Sequence, residues 1–551
     1  MPLVEHISFR RLPKHSELFL QYVESASPAL AFYQTPPSIA AIKALADTGT
    51  PLSVAPRGPI ASILKRQNEQ FGCGATTQEN IQELRHDNCV AVLTGQQVGL
   101  FTGPLYTVYK ALTCIRLADE LRSRNMRAVP IFWMDSEDHD LAEVLRVATA
   151  DSEGRPALLN CAERLFGSAV PPSCSVGPLV LGDGIGDCLS EYTAGLAAHE
   201  WSHQVRRQLE SAYAPGHTLA RAFACAMTEL FSRHGLIFFD TMDPEAKRLA
   251  RPVVERAIVS AAEIRAALRE RGDALHEAGY HRQVNILEDS TVLFVVDDGG
   301  RKALTSQGSV FGLRHTPTEW TGDQLIAQLD DRPESFSPSV MLRPLVQDYL
   351  FPTVAYVAGP AEIAYFAQIE TLYRLFGRRM PAIWPRAAFT LLDHETTGLI
   401  ERHALEFTDC FSERDRLIEK MLAGSGHSEA VQEIRLLKSY LDRGLADLRP
   451  QVVSVDLTLG PALDNARRKI LFNIDRLARR AVRLEAEQDR VMQRDAERIM
   501  SACYPLGSLQ ERIYGIYPFL ARYGPSLIDQ LYGLIRIEGF YHQVVRLENS
   551  R

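Results

Sequence analysis

Six consecutive residues, Asp135-Ser136-Glu137-Asp138-His139-Asp140, place four carboxylates around one imidazole. Acids so close repel one another in an apolar interior. A carboxylate beside a histidine orients the ring and raises its basicity, which suits a general base or a metal ligand. The structural alternative is a solvated, acidic helix start with Asp or Ser as its cap. The run follows directly on the apolar stretch ending Trp133-Met134, and a strand-end position favours chemistry. A second loop holds Gly95, Gln96, Gln97, Gly99, Thr102, Gly103 and Tyr106. Its glycines permit close backbone approach, and the helix that follows favours a phosphate or carboxylate at its start. It matches neither a Walker A sequence nor G-x-G-x-x-G. A third region joins Arg343, Gln347 and Asp348 to Tyr356, Gly359 and Glu362. Arg343 can grip an anionic group with two parallel hydrogen bonds. Glu362, in a helix's first turn, can equally serve the helix dipole.

The segment His199-Glu200-Trp201-Ser202-His203 fits H-E-x-x-H, which on a helix binds zinc with Glu as base. No metzincin extension follows, because Arg206 stands where Gly is needed. A zinc-dependent hydrolase is therefore a minor alternative, and no metal is expected.

The elements that must position these residues alternate between strand and helix. Cys89-Val90-Ala91-Val92-Leu93-Thr94 reads as a strand buried on both faces. A helix begins near Pro104, and a second buried strand ends at Met134, which completes a βαβ unit. Further strands are expected at 235–240, 291–296, 353–359 and 382–385, with the Asp297-Asp298-Gly299-Gly300 turn closing a hairpin. The pattern predicts an α/β, Rossmann-like doubly wound core with connecting insertions. Its first part occupies 1–150, a helical insertion 151–230, and its second part 231–395, with a hairpin-containing insertion near 270–335. Residues 396–503 predict an all-α antiparallel helical coiled-coil domain, and 504–551 a helical return to the core. There Leu463, Ile470, Ile474, Leu477, Ala481, Leu484 and Val491 follow heptad spacing, and Pro450 and Pro461 mark a break between two long helices. The basic run from Arg467 to Arg483 reads as a solvated, ion-paired face rather than a nucleic-acid site.

Composition narrows the class. The 551 residues carry 60 basic and 68 acidic side chains, a net charge of −8, so a global nucleic-acid or anionic-membrane binder is not expected. With 46 % hydrophobic and 23 % charged residues, disorder and collagen are excluded. Nine scattered cysteines without a C-x-x-C pair read as reduced thiols of a cytoplasmic protein. No secretory signal or membrane span is expected.

At the three loops the sequence resembles the bacillithiol biosynthesis cysteine-adding enzymes, also called cysteine ligases. The stretches that carry the resemblance are residues 94–111 (TGQQVGLFTGPLYTVYKA), 129–140 (VPIFWMDSEDHD) and 342–368 (LRPLVQDYLFPTVAYVAGPAEIAYFAQ). Gly279-Tyr280-His281-Arg282-Gln283-Val284 and Leu509-Gln510-Glu511-Arg512 fit as well, and the match spans the chain. Asp135-Ser136 departs from the small residues more usual there. The resemblance implies a nucleotidylyltransferase-like core and dimerisation through the coiled coil. It implies condensation of L-cysteine with the amine of glucosaminyl malate. A carboxylate does not acylate an amine unaided, so activation by ATP is expected. In that scheme the Gly95–Gly103 loop holds anionic oxygens, and Lys110 and Arg343 neutralise them. His139, oriented by Asp138 or Asp140, deprotonates the amine or stabilises the activated intermediate. The remaining alternative is a non-catalytic coiled-coil assembly protein on a decayed nucleotide-binding core.

Overall fold

The computed structural model describes residues 3–47, 52–150, 155–167, 173–197, 199–297, 300–425, 429–488 and 490–548. Its centre is a five-stranded, wholly parallel sheet in the spatial order Ala382–Pro385, Thr353–Ala358, Val90–Gln97, Ala128–Asp135, Ile237–Asp240. The strands are continuous apolar runs because both faces are covered. Val90, Val92, Phe132, Met134, Phe238 and Val357 pack on one side, with the helix Leu105–Ser123. Ala91, Leu93, Ile131, Trp133, Phe239 and Tyr356 pack on the other, with the helices Pro244–Val259 and Pro360–Leu375. The period-two alternation of Cβ directions thus splits one sheet between two cores. The first of these five in chain order, Val90–Gln97, lies in the middle, later strands extending first to one side and then to the other. The order reverses between Val90–Gln97 and Thr353–Ala358, and a crevice opens there at the carboxyl ends.

The insertions are more β-rich than their sequence suggests. The segment expected to be helical from 151 is entered through an antiparallel hairpin, Arg146–Ala150 with Pro156–Asn160. The hairpin expected at 291–305 belongs to a five-stranded antiparallel sheet that recruits Val310–Leu313, Glu319–Thr321 and Phe336–Pro338. Asp298 and Gly299 of its turn lie outside the described residues. The return at 504–551 is not wholly helical. Its strand His542–Arg546 pairs with Leu3–Ile7 on one side and Ala388–Leu392 on the other, tying the first residues to the last.

Two long helices, Glu429–Val455 and Leu459–Gln488, form the antiparallel pair. The break between them is not at the prolines. Pro450 lies inside the first helix, where it forfeits the hydrogen bond to the Ala446 carbonyl, and Pro461 lies in the first turn of the second, where no such bond is needed. Asp456 makes the turn by accepting from the Thr458 N–H at 2.7 Å. Ion pairs Lys438–Asp475 (2.7 Å) and Arg449–Asp464 (3.1 Å) cross the pair.

Beside the three-stranded sheet one buried and one half-buried imidazole, His542 and His15, stay neutral. His542 accepts or donates at 2.8 Å to Thr390 Oγ1, and His15 packs between Phe9 and Phe19. Burial pushes both down to about 4; Glu511 opposes the shift, and Arg386 adds to it. The unfolded chain takes up these protons below about pH 6.5, whereas the native chain does so only near pH 4. Their contribution is therefore complete above pH 6.5 and declines by about 1.4 kcal/mol per pH unit per histidine as the pH falls towards 4. Urea midpoints measured from pH 7.5 to 4.5 are expected to fall, and His15→Phe to flatten that fall. An unchanged slope would exclude His15 as a contributor.

Candidate active site

The crevice at the point where the strand order reverses is a cleft of about 420 Å³. Of the residues singled out in the sequence, Gly95, Gln96, Gln97, Tyr106, Lys110, Glu137, Asp138, Arg343, Tyr356, Gly359 and Glu362 line it. They converge because three parallel strands end together. Gly95 sits where a Cβ would come within 3.0 Å of the Trp133 carbonyl oxygen and 3.4 Å of Tyr356 Oη, so only glycine lets the strand end pass there.

Arg343 opens the helix Arg343–Leu350 and is 6 % exposed. Its guanidinium donates to Gln347 Oε1 (3.0 Å), Tyr356 Oη (3.2 Å) and Tyr365 Oη (2.9 Å), and lies over the Trp133 and Tyr356 rings. All these partners are neutral. Among the described residues no carboxylate lies within 4.0 Å of it. Gln347 and Asp348 stand behind it rather than in the cleft. Gln347 donates to Asp348 Oδ1 at 2.9 Å and Tyr373 to Oδ2 at 2.6 Å, while burial pushes the Asp348 carboxyl up.

Lys110 is fully enclosed and already engaged. Its Nζ meets Glu362 Oε2 at 2.6 Å, the Gly95 carbonyl at 2.7 Å and Gln96 Oε1 at 2.9 Å. Burial lowers its pKa and Glu362 pulls back, with a net shift downward. The three donors of the ammonium are thus matched by three protein acceptors, and the residue braces the cleft rather than meeting a ligand oxygen. Glu362 is held in turn by Tyr356 Oη (2.8 Å) and the Gly359 N–H (2.7 Å).

The glycine loop divides in two. Gly95, Gln96 and Gln97 face the cleft, whereas Gly99 and Gly103 line an adjoining pocket of about 240 Å³. Between them Phe101 and Thr102 take left-handed backbone angles (φ 50° and 70°), an uncommon state for side-chain-bearing residues. The insertion holds them there: Phe101 stacks on Tyr192, and the Thr102 N–H donates to Tyr213 Oη at 3.0 Å. The helix start expected to receive an anion is closed, since the Leu105 N–H donates to the Tyr514 carbonyl at 2.8 Å. The helix that does open into the cleft begins at Pro360.

The acidic run is spread over several roles. Glu137 is buried and pairs with Lys247 at 3.1 Å. Asp138 accepts from Gln97 Nε2 and from the His139 N–H. Asp135 lines the cleft, and burial together with Asp138 pushes its carboxyl up to about 6. Asp140 caps the short helix Leu141–Val144 through the Glu143 N–H at 2.9 Å, so it does not orient the imidazole. His139 stands outside the cleft lining. Its Nδ1 lies 3.6 Å from Asp138 Oδ1, too far for a hydrogen bond, and 3.2 Å from Arg301 Nη1. A guanidinium only donates, so Nδ1 accepts and the ring proton sits on Nε2.

Two family models cover nearly the whole chain: "Bacillithiol biosynthesis BshC, N-terminal Rossmann-like domain" matches residues 3–387, and "C-terminal coiled-coil domain" of the same family matches 389–547. The chain belongs to the BshC family. Relatives named "Putative cysteine ligase BshC" are 36 % identical in Koribacter versatilis, over 95 % of this chain and 96 % of the relative, and 33 % in Solibacter usitatus, over 97 % and 98 %. A third, from Salinibacter ruber, is 34 % identical over 96 % of both chains.

In this BshC-family cleft several residues escape a sequence reading. Arg386 and Thr241 immediately follow the strands Ala382–Pro385 and Ile237–Asp240, so the strand-end rule that flagged the other loops extends to both. Arg512 comes from the far C-terminal segment, and Arg301 from the inserted sheet. Arg301 bridges the insertion and the core, donating to Ser337 Oγ at 3.0 Å and the Pro338 carbonyl at 3.0 Å over the Phe294 ring. No local pattern announces Arg301, whereas Arg512 ends the stretch 509–512 that fits the family without marking it as a cleft residue.

The H-E-x-x-H segment does not form the zinc geometry. His199 lies in a bend before the helix Ser202–Ala212 begins, so the two histidines do not share one helical face. Among the described residues no three His, Cys, Asp or Glu side chains gather as a metal-binding group.

His139→Ala is expected to lower turnover by about tenfold or less, through a loosened Arg301. Loss of a general base would cost about a hundredfold or more. A steady-state kcat measurement on the variant separates the two.

Proposed function

We propose that the chain is a carbon–nitrogen ligase that joins the carboxyl group of L-cysteine to the amine of glucosaminyl malate, with ATP as activator. The observation that carries this is Arg343, a buried cation with only neutral partners at the mouth of the switch-point cleft. Asp135 and Glu362 favour its charge only from beyond ion-pair range, so an anionic ligand supplies the direct partner that the protein leaves out. The cleft also holds Asp135 and Asp138, so one chamber offers cationic ground to a carboxylate and anionic ground to an amine. The names of the relatives support a cysteine ligase.

ATP fits the donor set: the helix start at Pro360 and the guanidinium of Arg343 face the cleft, and phosphate oxygens match both. When bound, ATP supplies the leaving group that turns the cysteine carboxyl into an acylating agent. Arg343 then holds and neutralises anionic oxygens. Lys110 and Glu362 keep the strand end and the helix start in register, and Asp135, whose carboxyl burial pushes up to about 6, accepts the amine proton. Incubation of the chain with L-cysteine, glucosaminyl malate and ATP is expected to yield an amide of the summed substrate masses less one water. Folded protein giving no amide would overturn the reading.

The coiled coil makes the chain a homodimer in this reading. Leu436 (70 % exposed), Tyr440 (78 %), Phe472 (60 %) and Leu477 (55 %) leave apolar surface on the helix pair that a second copy would cover. Light scattering is expected to give twice the chain mass of 61.5 kDa, and a concentration-independent monomer would reject the dimer. The setting is cytoplasmic: all nine cysteines stand as thiols, and no helix among the described residues is long and apolar enough to cross a membrane. No nucleic-acid partner enters this reading, and the pair Arg467–Asp442 supports a solvated, ion-paired face at the start of the basic run.

A further inference from the structure

We propose that the cleft wall formed by Trp133, Glu137 and Thr241 is the subsite for the primary ammonium and neighbouring hydroxyl of the amine acceptor, with Glu137 selecting the ammonium. This deepens the ligase reading and rests on it. Three buried polar atoms on this wall have no hydrogen-bond partner: Trp133 Nε1, Glu137 Oε2 and Thr241 Oγ1. Their residues are 2 %, 5 % and 6 % exposed. An orphaned buried polar atom is costly, and three on one wall of one cleft point to a ligand that completes them.

Their chemistry specifies the ligand. The carboxylate oxygen only accepts, the indole only donates, and the hydroxyl does either. The complement is an N–H donor beside an oxygen acceptor, as in a 2-amino sugar. Glu137 is built for the task. Its Oε1 is fixed at 3.1 Å by Lys247, whose Nζ also donates to the Phe336 carbonyl at 2.9 Å, which leaves Oε2 for the ligand. The backbone below is pinned by the insertion, with the Gly177 N–H on the Ser136 carbonyl (2.9 Å) and the Val176 N–H on the Asp138 carbonyl (2.7 Å). Gly177 approaches so closely that a Cβ would lie 2.3 Å from that of Ser136.

An α-amino acid also carries an ammonium, but its adjacent carboxylate would face Asp135, Glu137 and Asp138 and be repelled. The acidic wall therefore takes the amino sugar, and Arg343 takes the carboxyl partner. In the reaction one ammonium proton passes to Asp135. The nitrogen lone pair then forms the C–N bond to the activated carbonyl, and the leaving group departs with the pair that held it to that carbon. The second N–H proton is lost to the departing phosphate-bearing group, which leaves a neutral amide.

The test is calorimetry with glucosaminyl malate and with its N-acetyl derivative, which keeps the sugar and malate but lacks the ammonium. The wild-type chain is expected to prefer the free amine by about tenfold or more. Glu137→Gln is expected to erase that preference while the KM for cysteine stays within about twofold. Thr241→Val, which disturbs no ion pair, weakens binding of both sugar ligands by about threefold or more and decides the matter if Glu137→Gln fails to fold. A preference retained in Glu137→Gln, or a cysteine KM that rises in its place, would overturn the subsite; with both sugar ligands unaffected by Thr241→Val, it also falls. A wild-type chain that shows the preference yet forms no amide would sink the ligase reading and leave the subsite standing.

Discussion

Replacing Arg343 by Met is expected to lower kcat/KM for amide formation by about a hundredfold to a thousandfold, as loss of one preorganised donor set to a developing or bound anion does. The same change is expected to leave the melting temperature unchanged or raise it. In the free protein the guanidinium is buried among Gln347, Tyr356, Tyr365 and two aromatic faces, with no counter-charge within ion-pair range among the described residues. Asp135 and Glu362 act on it only from beyond that range, so the direct anionic partner is left to the ligand. Arg343→Lys is not expected to restore activity, because the planar fork that reaches Gln347 and both tyrosines at once has no ammonium equivalent. The readouts are steady-state kinetics and thermal denaturation of the same preparations. Activity within threefold of wild type would remove the anion-holding role.

Glu511→Ala is expected to destabilise the chain by about 3–5 kcal/mol, the range for removing one partner of a buried ion pair. Glu511 receives two bonds from Arg386, at 2.6 and 3.0 Å, and the two side chains are 3 % and 5 % exposed. Burial alone would raise the Glu511 carboxyl. Arg386 outweighs it and holds the group below the ordinary glutamate range. Removing the acid strands a buried guanidinium at the wall of the cleft. Glu511→Gln, which keeps one acceptor, is expected to lose less. Urea unfolding of the two variants measures the difference, and a loss below about 1 kcal/mol in Glu511→Ala would show the pair to be dispensable.

Much of the cleft was legible before any coordinates. The apolar runs ending at Thr94, Met134 and Ala358 could only be buried strands, and loops at the ends of such strands are where open α/β sheets bind ligands. The stretches around Gly95, Glu137 and Arg343 resemble the same family that the domain matches establish. Individual roles were less accessible. His139 and Asp138, adjacent in sequence, suggest a proton relay, yet the strand end turns the imidazole towards Arg301 and leaves it 3.6 Å from the acid. Lys110 suggests an anion binder from its place in the helix, but Glu362, brought from 252 positions later, claims it at 2.6 Å. The strand Ala388–Leu392 was hidden because its partner, His542–Arg546, lies about 150 residues later and is itself paired on its other side with Leu3–Ile7 at the start of the chain.

By itself the sequence determined the period of each element, the apolar strands that must be covered on both faces, and the three loops that must gather where those strands end. These are local consequences of side-chain spacing and of glycine and proline backbone limits. Only the tertiary structure decided which charges meet. Arg301, Arg386, Thr241, Lys247 and Arg512 join the loops from distant segments, and burial then sets their strength. A pairing across hundreds of residues leaves no periodic trace, and the dielectric that makes it matter exists only once the chain has folded.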